Sequence, residues 1–220
     1  MQAIERHAES LDWVSLTLLT AFVILAIAKS AYPQRFEDFT SLLTSNKFMV
    51  FRGKEYKAFH GFNILLFSVN VLAVSLLLFL ILKMLWPAEN FKEPVILFIR
   101  IATAYASFIL LKSGIEKIVA NVFELDNKID YYIFQKLSYL NFSTILLLVP
   151  LLLFFYAFPP TNLVLYIVVG ALMLTNILSL ASIYKENQSL IAGNWFYFIL
   201  YLCALEIAPY IILYKLFTIY

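Results

Sequence analysis

Residues 137–184, LSYLNFSTILLLVPLLLFFYAFPPTNLVLYIVVGALMLTNILSLASIY, run for 48 positions without a charged side chain. One straight α-helix of that length would measure about 72 Å, more than twice the roughly 30 Å of hydrocarbon in a bilayer. Pro159–Pro160 stands near the middle of the run. Two successive prolines remove two helical N–H donors and clash with the preceding turn, so the helix has to break there. The stretch reads as a membrane hairpin, with spans at about 137–158 and 162–184.

The same pattern extends outward from this hairpin. Towards the N-terminus, apolar runs at about 95–118, 61–86 and 11–28 are each long enough to cross, and a last one follows at 195–217. Six spans in one integral membrane domain over residues 1–220 account for the composition, which is 63% hydrophobic and 14% charged. A soluble domain carries about 25% charged residues, and a chain this short has too much surface to hide the apolar excess in a core. The expected fold is therefore all-α and polytopic, with a lipid-facing exterior. Residues 1–12 lack a basic leader and a small-residue cleavage site, so the first apolar run reads as a retained span rather than a signal peptide.

Charge gives an orientation and excludes one class of partner. A net charge of +2 with dispersed Lys and Arg is no footprint for nucleic acid. Alternating the sixteen basic residues across six spans places eleven on the side of the odd-numbered loops and five opposite. The larger group faces the cytoplasm by the positive-inside rule, which puts both termini in the periplasm. Within that side, residues 33–59 form a long connection. Arg35, Phe36, Phe39, Arg52 and Lys54 in it suggest a short amphipathic segment on the cytoplasmic leaflet. An ordinary loop packed on the helix ends is the competing reading. Residues 116–136 look like a helical extension of the third span.

Charges inside spans are costly, and each raises a functional question. Glu206 lies near the centre of the sixth span, three residues before Pro209, which should kink that helix as Pro150 should bend the fourth. A carboxylate beside a kink can relay protons or bind a cation. It can also lock two helices by pairing with Arg100 or Lys112 of the third span. Lys112 and Glu116, four residues apart, form a local helical pair, and with Lys117 they can snorkel to the interface. Asn63, Asn70, Asn141 and Asn176 are expected to hydrogen-bond between helices. Cys203, the only cysteine, excludes an intrachain disulfide.

Motifs for chemistry are missing. His7 and His60 have no spaced partners for zinc or haem, and five glycines form no phosphate loop. No metal site and no cofactor is expected, and no catalytic residue is singled out. Membrane lipids and other membrane proteins are the expected partners.

Several short stretches resemble one family. They are Lys29–Ser30–Ala31–Tyr32–Pro33–Gln34–Arg35–Phe36, then Arg52 and Asn63, and above all Ala204–Leu205–Glu206–Ile207–Ala208–Pro209 with Leu213–Tyr214–Lys215. They are similar to the Bacteroidota inner-membrane proteins grouped as domain of unknown function 4271. The resemblance implies a multi-pass inner-membrane protein of this size and brings no activity with it. By analogy with other small, motif-poor membrane proteins, the expectation is a non-catalytic subunit or accessory factor of an inner-membrane complex, in protein export or envelope assembly. The alternatives are a small transporter or ion-conducting protein built around Glu206, and an intramembrane lipid-modifying enzyme that would need a polar pocket at His60.

Overall fold

The computed structural model describes residues 12–40, 60–85, 93–122, 126–157, 161–186 and 215. All the regular elements among them are helical. In chain order they are α1 (Asp12–Ala31), α2 (Pro33–Thr40), α3 (Gly61–Leu85), α4 (Pro94–Val122), α5 (Asp126–Leu152) and α6 (Asn162–Glu186). A five-residue π-helical turn, Leu153–Ala157, extends α5. Four stretches are long and apolar enough to cross a membrane: Asp12–Ala31, Gly61–Met84, Pro94–Ile118 and Tyr132–Ala157. A shorter apolar stretch, Leu163–Ser179, lies within α6. This is an all-α membrane protein, because in hydrocarbon a helix is one of the few ways to satisfy every backbone N–H and C=O. The sixth span at 195–217, with Glu206 and Pro209, lies outside the described residues except for Lys215; Arg52 and Lys54 lie outside them too.

Local chemistry sets the helix ends. Asp12 opens α1 and Lys29 sits in its last turn, each complementing the helix dipole. Pro33 and Pro94 stand at first helical positions, where a missing N–H costs nothing. His60 caps α3. Its carbonyl accepts from the Asn63 and Ile64 amides at 2.8 and 3.1 Å, and its Nδ1 accepts from the Phe62 amide at 3.2 Å. Pro150 lies inside α5, three residues before the π-turn. Pro150 removes one helical N–H donor within α5, and the chain changes to the wider π-helical turn shortly after it. Within this turn the Tyr156 hydroxyl donates to Ser15 Oγ of α1 at 2.5 Å.

Contacts between helices give the packing order, which hydropathy cannot. α3 is central and packs on α1, α4 and α5, while α6 packs on α5. Trp13 meets Phe79 and Tyr32 meets Phe62, so α1 and α3 are antiparallel. Ala21, Ala28 and Ala73 are buried where these two helices and their neighbours meet, and small side chains there let backbones approach closely. Phe62 and Leu66 of α3 cluster with Phe134 of α5, and Leu76 and Leu77 with Leu148 and Leu151, so α3 and α5 run parallel. Half of the α3 span is buried against 6% of the α4 span. α4 accordingly has one inward face, and its Ile99, Leu110, Leu111 and Ile118 point outward.

The core has two main parts, and Tyr132 and Ile133 of α5 form a small third cluster. The larger joins Val14, Leu18, Leu76, Leu77, Leu148 and Leu151 at the Trp13 end. The smaller joins Ala28, Phe39, Phe62, Leu66 and Phe134 at the His60 end. Phe39, read from the sequence as part of an interfacial face, has no exposed surface, and its ring lies 5.8 Å from both Phe62 and Phe142. Phe36 packs on the same cluster. The segment is helical as expected, but its aromatic side is docked on the bundle. α2 directly follows α1, with the Tyr32 amide bonded to the Ala28 carbonyl, and it docks on α3 and α5 through Phe39.

Residues 116–136 also differ from the sequence expectation. Residues 116–122 form the last turns of α4 and 126–136 the first turns of α5, so the segment belongs to two helices and is not a single extension of the third span; residues 123–125 lie outside the described ones.

Candidate functional site

The buried polar and charged residues among those described are Asn63, Asn70, Ser75, Lys112, Glu116, Gln135, Ser138, Asn141, Ser143 and Thr144. All of them belong to α3, α4 or α5. Two clusters organise this polar interior.

The first is centred on Asn70, near the middle of α3. Its Nδ2 donates to Thr144 Oγ1 and, at 3.5 Å, to the Leu140 carbonyl of α5. Its Oδ1 accepts from the Tyr105 hydroxyl of α4 at 2.9 Å. One amide therefore ties three helices together, using both donors and one acceptor position. The expected interhelical role of Asn70 is seen directly. Asn176 instead donates to Leu172 of its own helix at 2.8 Å, and α5 meets α6 through the Ser143 and Thr175 hydroxyls, 3.4 Å apart. The buried Asn141 Oδ1 and Ser75 Oγ accept from no described donor. Asn70→Leu is expected to lower stability by about 1–2 kcal/mol, since it removes three interhelical bonds that average about 0.6 kcal/mol each in a membrane protein. Tyr105→Phe should lose less, since it removes one bond of the three. Thermal unfolding in detergent checks both, and equal losses would contradict the central place of Asn70.

The second cluster lies about 16 Å further along α4, eleven residues past Tyr105. Glu116 is 1% exposed, and its Oε1 is 2.7 Å from Lys136 Nζ of α5. The ammonium also stands 5.7 Å from the centre of the Tyr132 ring. Lys112, one turn before Glu116 on the same face of α4, is 7% exposed, and Gln135 beside Lys136 is fully buried. Glu116 therefore reaches across to another helix, in addition to its place four residues after Lys112. Burial also separates both from the exposed Lys117, so they are not residues reaching out to water. Arg100 is exposed on the outer side of α4.

Lys136 is not among the site residues that the sequence singles out, because it stands just outside the apolar run that begins at 137. One signal was available. Tyr105, Lys112 and Glu116 are spaced by seven and four, which puts them on one face of a helix, and that is the face turned to α3 and α5. His60 at the same end uses Nδ1 to cap α3 and stacks edge-on with Tyr32 at 5.1 Å.

The chain matches the sequence profile described as Domain of unknown function (DUF4271) over residues 14–217 and belongs to that family. No curated protein matches it, and no solved structure does.

Proposed function

We propose that this protein is a non-catalytic subunit or accessory factor of a complex in a bacterial inner membrane, serving protein export or envelope assembly. The observation that carries this reading is the use made of the polar interior. Asn70 with Tyr105 and Thr144, and Glu116 with Lys136, spend their polar atoms joining helices. Intramembrane charge of this kind suits a rigid scaffold. The eleven-to-five bias of basic residues supports a cytoplasmic His60 end and periplasmic termini. The export or envelope class rests on analogy with other small, motif-poor membrane proteins.

The test is a tagged purification from native membranes in mild detergent, with mass spectrometry of what co-elutes. Near-equimolar partners drawn from export or envelope machinery are expected. A monodisperse lone chain would overturn the subunit reading.

A second reading is favoured by Glu206, a carboxylate within an apolar run and three residues before a proline. Under it the protein conducts an ion or proton. Glu206→Gln should then abolish flux in proteoliposomes without altering thermal stability, and unchanged flux would dispose of it.

A further inference from the structure

We propose that His60 is a pH-sensitive latch: its neutral imidazole caps α3 and, through Tyr32 and the phenylalanine cluster, holds α2 on the bundle. Caps are normally Ser, Thr, Asp or Asn, whose oxygens accept at any physiological pH. Here the acceptor for the Phe62 amide is a ring nitrogen, His60 Nδ1 at 3.2 Å. That nitrogen accepts only while it is unprotonated. In imidazolium both ring nitrogens are donors, so two N–H groups would face each other. Histidine changes charge between roughly pH 5 and 8, so the bond is present at the upper end of that range and lost as pH falls through it.

The geometry carries a loss at this cap beyond α3. The His60 ring meets Tyr32 edge-on at 5.1 Å, at the corner between α1 and α2. Tyr32 in turn packs on Phe62, the second residue of α3, which also supports Phe39 of α2 at 5.8 Å. The fit is close, since a Cβ added at Gly61 would stand 2.6 Å from the Tyr32 hydroxyl. The first turn of α3 and the docking site of α2 are thus one packed unit, with a titratable cap at its edge.

Tyr32 touches the imidazole. Among the described residues, the other ionisable groups at this end are Lys29 of α1; Arg35, Glu37 and Asp38 of α2; Lys112, Glu116 and Lys117 of α4; and Lys136 of α5, while Lys54, Glu55 and Lys57, which precede His60 in the chain, lie outside them. A control that removes only the imidazole separates its titration from theirs. His60→Asn is that control, because asparagine caps a helix well and has no proton to gain.

Hydrogen–deuterium exchange of the full chain in detergent or nanodiscs, corrected for intrinsic rates, reads both elements. In the wild type, protection of amides 62–64 and of α2 amides 34–40 should fall about fivefold between pH 8 and pH 5.5, the scale of one helix cap. His60→Asn should hold the high-pH protection throughout, and His60→Ala should show the low protection at every pH. A flat wild-type profile, or a His60→Asn profile that follows the wild type, would overturn the proposal. A loss confined to residues 62–64 would overturn the latch, because α2 would then be held independently of the cap.

Discussion

Glu116→Gln is expected to destabilise the protein by about 3–5 kcal/mol, the scale for removing one member of a buried ion pair. The reason lies in what is left behind. Lys136 would keep its charge between α4 and α5 with an amide where the carboxylate stood, and Lys112 would remain buried one turn away. The opposite change, Lys136→Met, should cost at least as much, because Glu116 is the more buried partner at 1% against 20% exposure. Joining the two changes should recover part of the loss, since neither charge then remains to be solvated. Unfolding of both single variants and the double variant closes the cycle, and a coupling of roughly 2 kcal/mol is expected for residues in direct contact. Strict additivity would mean that the 2.7 Å contact does not hold α4 to α5.

Phe39→Ala is expected to lower stability by about 3–5 kcal/mol, as for truncating a buried phenylalanine. The ring has no exposed surface and meets Phe62 and Phe142 edge-on, so truncation leaves a cavity among Ala28, Leu66 and Phe134. The outcome also decides where α2 rests. If its aromatic side lay on lipid, Phe39→Ala would weaken membrane contact and leave the bundle nearly as stable in detergent. Thermal unfolding in detergent and vesicle flotation separate the two cases. A large shift in the first with none in the second is the expected pattern.

How much of this was legible in the sequence differs from feature to feature. The helices at Gly61–Leu85 and Asn162–Glu186 begin and end within a residue or two of the apolar runs that predict them. The start of α5 at Asp126 lies eleven residues before the apolar run at 137. Hydropathy marks where hydrocarbon begins, while a helix continues into the polar residues beyond for as long as its backbone bonds are met. Lys136, just outside the apolar run, is one such helical residue, and it faces Glu116. Asn70 was legible as a hydrogen-bonding group because an amide in an apolar helix must find a partner. Tyr105 and Thr144 as those partners were not, since the three positions are far apart in the chain.

The sequence alone determines that this is a helical membrane protein, because in lipid the backbone has almost no other way to satisfy its hydrogen bonds. It also determines family membership, over residues 14–217. Only the tertiary structure decides that α3 is the central helix, that Glu116 meets Lys136, and that Phe39 turns inward. The physical reason is that lipid-facing and helix-facing surfaces are both apolar. Hydrophobicity can therefore place a residue within the membrane, while shape and pairing across helices choose its neighbours.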